Sequence, residues 1–368
     1  MRLRKGPPDF MLLIITICLI GLGLVMVFSA SAVKANVEFG NSYYFVLRQT
    51  VWAIISFIIM IIIMKLNYLK LRDFAIPLLV IAILGLIASL SPLGFETKGS
   101  SRWLQFGPIR FTPSEFAKLA MVYFLARNME INYDKIRNFT YGIIPYVILL
   151  ALVGGLVMLQ PDLGTAFVIA GTVFFMLLVA GARWSHLGIL ALGGIGAVVA
   201  AIALAPYRME RMMAFMNPWK YASDEGFQVI QSLYALGSGG LFGMGLGMGR
   251  QKFFYLPEPY NDFIFAIIGE ELGFLGISLV LTLFVLFAWR GFRIAINAPD
   301  IFGSLLAAGI TTMIIFQASI NMGVVCGVLP VTGITLPFIS YGGSSLLFTM
   351  MGVGLLLNIS RYSTYKAL

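Results

Sequence analysis

The sequence predicts an all-α polytopic membrane protein, a bundle of about ten transmembrane helices with a large extracellular loop between the seventh and eighth spans. Three observations predict it. Sixty per cent of the residues are hydrophobic and 11% are charged, where a soluble domain is about 25% charged. The apolar runs reach the roughly 20 residues that a helix needs to cross a bilayer. Lysines and arginines concentrate in alternate connecting segments, which orients the spans.

The spans are expected at 10–33, 44–64, 74–91, 113–128, 142–160, 163–181, 186–205, 263–289, 301–328 and 335–358, in one integral membrane domain covering 1–368, with an extracellular loop at about 206–262. The fourth is the least apolar. With both termini in the cytoplasm, the inner segments hold Arg2, Arg4, Lys5, Lys65, Lys70, Arg72, Arg127, Lys135, Arg137, Arg183, Arg290, Arg293, Arg361 and Lys366. The start resembles a signal peptide, with basic residues, an apolar run and "FSASAVKA". The run from Phe10 to Phe28 is longer than a usual signal core, so the reading is a retained first span.

Composition also narrows the chemistry. Cys18 and Cys326 lie in apolar runs and read as free thiols. The single histidine, His186, excludes His-rich metal clusters, and any Ser-His-Asp triad would have to use it. Carboxylates, lysines and arginines must then carry any reaction. The net charge of +9 suits anionic lipid and does not by itself imply nucleic acid. No internal repeat is evident, which weakens a reading as an inverted-repeat transporter.

In the short outer loop between spans three and four, Lys98, Arg102 and Arg110 stand against Glu96 and break the positive-inside rule. They point to an anionic ligand or to lipid headgroups. The next span opens "TPSE", where Thr112, Pro113 and Glu115 fit a capping box. Lys118 lies one turn on, on the face of Glu115. An intramembrane lysine needs a partner, so the pair is either structural or lines a polar cavity that receives phosphate. Asp162, in "QPDLGTA", can cap the sixth span. In "PYRMERMMAFMNPWKY" (206–221), Arg208, Arg211 and Lys220 fit either an amphipathic surface helix or an arginine pair for pyrophosphate. "ALGSGGLFGMGLGMGR" (235–250) is neither a dinucleotide fingerprint nor a P-loop. It reads as a flexible or close-packed loop, or as backbone that closes on a substrate.

"LPEPYNDFIFAIIGEELGFLGI" (256–277) puts Glu258 and Asp262 at the edge of the eighth span and Glu270 and Glu271 inside it. Glu270 lies about 80° around and roughly 12 Å deeper than Asp262, so one helix face cannot hold all of them. Glu270 and Glu271 read as interior structural carboxylates with basic partners. Asp262 is either an N-cap or a functional acid with access to water and to the basic loops. Gly342, Gly343, Ser344 and Ser345 suit close helix packing. Asn321, inside a span, should bond another helix or a substrate.

Taken together, "KGSSRWL", "TPSEFAK", "QPDLGTA", "FQVIQSLYALGSGGLFGMGLG", "LPEPYNDFIFAIIGEELGFLG" and "LPVTGITLPFISYGGSSLL" resemble the SEDS family (shape, elongation, division, sporulation) over essentially the whole chain. The opening residues look closest to its FtsW and SpoVE branch. The resemblance implies a peptidoglycan glycosyltransferase of the bacterial cytoplasmic membrane that polymerises lipid II beside a class B penicillin-binding protein and other cell-wall machinery. It places the family's essential acid on Asp262, its glutamate and lysine on Glu115 and Lys118, and its arginine on Arg102. The usual "AHTD" is "PYND" here, and a frequent Asp-Pro is Asn217-Pro218. Asp262 is then the expected general base. Arg102, Glu115, Lys118, Arg208, Arg211 and Glu258 are the expected substrate-binding residues. A magnesium or manganese ion is an expected helper, with no protein metal site. The competing expectations are a lipid II flippase and a non-catalytic scaffold.

Overall fold

The computed structural model describes residues 6–362 except 98–99, 108 and 224–225. Lys98, Arg2, Arg4, Lys5 and Lys366 lie outside the described residues. Among the described residues fourteen α-helices follow one another: α1 (Phe10–Phe39), α2 (Tyr44–Lys65), α3 (Tyr68–Leu71), α4 (Ala75–Leu90), α5 (Pro113–Ile131), α6 (Phe139–Gly142), α7 (Ile144–Leu159), α8 (Leu163–Val179), α9 (Trp184–Ala203), α10 (Pro206–Met216), α11 (Phe227–Gly239), α12 (Ile264–Ile296), α13 (Ile301–Val325) and α14 (Gly343–Ser360). A small antiparallel sheet, β1 (Gly94–Thr97), β2 (Ser100–Phe106) and β3 (Ile109–Phe111), stands between α4 and α5.

Among the described residues, eight helical segments are long and apolar enough to cross a membrane. The expected fourth and sixth spans, α5 and α8, fall outside that set. α5 carries Glu115, Lys118, Arg127 and Glu130, and α8 has 17 residues. The expected tenth span also starts too early. Residues 335–342 are not helical, and α14 begins only at Gly343. The irregular segment before α14 is apolar but has its backbone satisfied by buried side chains, as non-helical backbone at membrane depth requires. The Gln317 amide donates to the Thr335 carbonyl at 2.9 Å, and the Asn321 amide to that of Ile334 at 2.8 Å. Gln49 donates to the Ser340 carbonyl and accepts from the Gly342 N–H, both at 3.2 Å.

The bundle has two polar ends. At one, the start of α1 meets the ends of α12 and α14. Asp9 caps α1 and pairs with Arg290, and the Asp9 N–H donates to Ser360. Arg72 and Arg127 both pair with Glu130, and the Tyr68 hydroxyl donates to Asp300. The other end gathers the end of α1 and the starts of α2, α5, α8, α12 and α14.

The glycine-rich segment after α11 is close-packed. α12 is broken at Gly273, whose φ of 65° and ψ of −160° are not helical. The gap is filled by residues 239–251. The N–H groups of Met244 and Gly245 donate to the carbonyls of Glu270 and Glu271, and those of Phe274 and Leu275 to Gly240 and Leu241. Gly243 shows why the segment is glycine-rich: a Cβ there would lie 2.1 Å from the Glu271 carbonyl oxygen. Two carboxylates complete the joint. Glu271 pairs with Lys252 at 2.7 Å and accepts from Ser29 of α1 and from the Gly247 N–H. Glu270 accepts from the Arg250 and Gln251 N–H groups at 2.7 and 3.2 Å. The expectation of a basic partner thus holds for Glu271, while Glu270 bonds backbone N–H groups. The small residues of "FSASAVKA" serve the same packing, since Ser29, Ala30 and Ser31 are buried in α1.

Candidate functional site

A cavity of about 1180 Å³ opens at the end opposite Asp9 and Arg290. Its walls come from all along the chain. α1 and α2 supply Lys34, Glu38, Tyr44, Arg48 and Trp52. The sheet supplies Arg102, Trp103, Gln105 and Arg110, and α5 supplies Glu115. Asp162, Glu258, Tyr260, Asp262 and residues 333–335 and 341–345 close it.

Asp262 sits two residues before α12, on the cavity wall. Its carbonyl accepts from the buried Asn321 side chain at 2.7 Å, and the same amide group holds Ile334. That fixes the Asp262 peptide against the irregular segment, next to Gly333, where an added Cβ would stand 3.9 Å from an Asp262 carboxylate oxygen. Asn321 was expected to bond another helix or a substrate. It bonds the peptide of the acid itself.

Arg102 follows from the sheet register. Phe95 pairs with Trp103 and Leu104 with Phe111, which folds β2 over the end of α7. Arg102 Nε donates to the Gln160 carbonyl at 3.0 Å, a second nitrogen donates to the Pro161 carbonyl, and the guanidinium stands 3.8 Å from Asp162. Asp162 caps α8 through the Thr165 N–H at 3.0 Å, as its position suggested. It is therefore both a cap and a partner for Arg102.

Glu115 and Lys118 form the expected ion pair, 2.9 Å apart. Thr112 is the N-cap residue and Pro113 opens the helix, but Thr112 makes no side-chain cap bond; its hydroxyl accepts from Ser344 instead. Lys118 is 4% exposed and donates to Gln317. It stands behind Glu115 rather than on the cavity wall. Beyond it the interior is mostly apolar, walled by Met121, Val122, Leu125, Ile169, Val173 and Met313 with Thr172 among them. Glu258 lines the cavity and pairs with Lys34 at 3.0 Å.

Arg208 and Arg211, expected to bind substrate, do not line the cavity. Arg208 donates to the carbonyls of Ala201 and Met158, at 3.0 and 3.3 Å, where α9 and α7 end. α10 turns Met209, Met213 and Met216 outward, as an amphipathic surface helix would.

Three cavity residues escaped the sequence reading. Lys34 and Arg48 sit at span ends, where a basic residue reads as a topology signal. Tyr260 follows a proline in a loop and carries no motif by itself. Arg48 stacks over Tyr44, 4.5 Å from its ring centre. Burial pushes the Tyr260 hydroxyl well above the ordinary tyrosine pKa, with Glu258 adding to the effect. It remains a neutral hydrogen-bonding group at physiological pH. Among the described residues no three His, Cys, Asp or Glu side chains gather as a metal site. A protein-only cation cage therefore does not fit this cavity, although magnesium commonly rides on substrate phosphates with one or two carboxylates.

The arrangement has relatives. A family model described as cell cycle protein, FTSW_RODA_SPOVE, matches residues 10–365. The chain is 50% identical over 366 residues to stage V sporulation protein E of Bacillus subtilis (strain 168), covering 99% of this chain and 100% of that protein. It is 41% identical over 360 residues to a probable peptidoglycan glycosyltransferase FtsW of Geobacter metallireducens, covering 96% and 94%. A solved structure concerning coordination of polymerization and crosslinking by a peptidoglycan synthase complex superposes with a TM-score of 0.81 at 33% identity, covering 98% of this chain and 99% of that one. The rod shape determining protein RodA of Thermus thermophilus does so at 0.73 and 30%, covering 98% of each. With this match along nearly its full length, the chain belongs to the FtsW, RodA and SpoVE family of membrane proteins.

Proposed function

We propose that this chain is a peptidoglycan glycosyltransferase that polymerises lipid II into glycan strands on the outer face of the bacterial cytoplasmic membrane. The observation that carries the reading is the cavity, where the Asp262 carboxylate shares one polar hollow with Arg48, Arg102 and Arg110. Relatives of 40–41% identity bear that activity in their names. Both termini then face the cytoplasm, and the cavity opens outward, where no ATP is available. A sugar polymerised there must bring its own leaving group, and a lipid pyrophosphate is one.

Pyrophosphate departs without a general acid, so one carboxylate suffices where glycoside hydrolysis commonly uses two. Asp262 takes the proton of the acceptor 4-hydroxyl. The resulting oxygen nucleophile attacks the anomeric carbon of the growing chain in one inverting displacement. The anomeric C–O bond to pyrophosphate breaks as the new glycosidic bond forms. The charge that develops on the pyrophosphate is stabilised by preorganised cations. Arg102, Arg110 and Arg48 line the cavity and suit that role. Glu115 tethers Lys118 just behind it. The strand made on the outer face needs crosslinking, and a class B penicillin-binding protein is the fitting partner. The mostly apolar side chains beneath Lys118 favour this reading over a flippase, which needs a polar path to the inner leaflet.

The test uses the purified chain with its partner transpeptidase and labelled lipid II. Asp262→Asn and Asp262→Ala should both fold and lose on the order of 10²- to 10⁴-fold in turnover. Normal polymerisation by either folded variant removes Asp262 as the base.

A further inference from the structure

The break at Gly273 leaves residues 264–272 as a short helical stub ahead of the long remainder of α12. Asp262 rides at its free end. At its base Glu271 is completely buried, and Lys252 is 5% exposed. Lys252 Nζ reaches Glu271 Oε1 at 2.7 Å and the Ser29 hydroxyl at 3.2 Å, while Ser29 donates to both Glu271 oxygens at 2.6 and 2.8 Å. The same carboxylate accepts from the Gly247 N–H at 3.0 Å. Three separate pieces of chain, α1, the glycine-rich segment and the stub, are thus locked at one buried point.

We propose that Glu271, Lys252 and Ser29 are positioning residues that set the tilt of the stub and thereby the place of the Asp262 carboxylate in the cavity. This rests on the reading of Asp262 as the base. Stability alone does not account for the cluster. A buried ion pair costs several kcal/mol per charge in desolvation, and a well-packed neutral replacement is often no less stable. What such a pair supplies is one fixed arrangement. The stub is about 14 Å long. A tilt of about 5° at its base moves the far end by about 1 Å, and misplacement of that size can cost about 10²-fold in rate. At the far end Asn321 holds the Asp262 carbonyl and the Tyr341 N–H holds that of Tyr260, so the buried stub is set between that end and the ion pair at its base.

The experiment compares Lys252→Met/Glu271→Gln, a neutral pair of similar shape, with wild type in the lipid II polymerisation assay, alongside thermal unfolding. The double variant should melt near wild type, lose at least tenfold in kcat and keep KM for lipid II within about twofold. A folded double variant with wild-type kcat, or one in which KM rises as far as kcat falls, overturns the proposal. Ser29→Ala leaves the ion pair in place and should lower kcat about threefold. Should the double variant fail to fold, an unchanged kcat in Ser29→Ala overturns the proposal by itself. Asp262→Asn run beside them separates the two readings. An active Asp262→Asn sinks the base assignment, whereas an inactive one beside fully active Glu271 and Lys252 variants sinks only the positioning.

Discussion

Arg102 and Arg208 grip the same turn of the molecule from two sides. Arg102 donates to the carbonyls of Gln160 and Pro161, and Arg208 to that of Met158. Both satisfy carbonyls left over where α7 ends, which suits a cation. Yet Arg102 lines the cavity and Arg208 does not. The difference lies in what each is built on. β2 is held in register between β1 and β3, and Trp103, Gln105 and Arg110 enter the cavity with Arg102. α10 is an amphipathic helix with its methionines outward, so its arginine turns back onto the protein. Basic composition brings both segments to the membrane surface; only the strand register aims one of them at the site.

Mutations can break that comparison. Arg102→Ala should have the largest effect, about 10²-fold in kcat/KM, because it removes a cation facing the leaving group. Kinetic assay of folded protein checks it, and Arg102→Lys should recover only part, since a lysine cannot span two carbonyls as a guanidinium does. Arg110→Ala, on the neighbouring strand, should lose about tenfold, because its guanidinium, stacked over Phe95, is exposed and water and salt screen its charge. Arg208→Gln should leave kcat/KM within about twofold while lowering stability by about 1 kcal/mol, the worth of one or two backbone hydrogen bonds. Thermal unfolding reads the second effect. An Arg208 variant that lost activity without losing stability would return α10 to the site.

Much of the fold was legible because hydropathy and charge asymmetry report the membrane directly. The helix-spacing rule found Glu115 and Lys118, and a cap rule found Asp162. The failures have a common cause, which is that sequence patterns describe residue types and not backbone bonds. The stretch 335–342 is apolar enough to pass for helix, but Gln49 and Gln317 take backbone groups within it and Asn321 takes the Ile334 carbonyl just before it. Glu270 takes its hydrogen bonds from backbone N–H groups, while Lys252 bonds Glu271 beside it. Ser29 and Glu271 are 242 residues apart in sequence, and no local pattern links them. Lys34 and Arg48 were hidden by their place at span ends, where a charge has an ordinary reason to be.

The cavity draws on both ends of the chain, from Lys34 in α1 to Ser345 in α14. During synthesis the first helices therefore enter the bilayer long before their partners exist. Until α12 arrives, the Ser29 hydroxyl waits in lipid for its acceptor, and the hollow acquires its last wall only with α14. A chain cut short before residue 343 would carry the proposed base and the arginines and still have no closed compartment in which to use them.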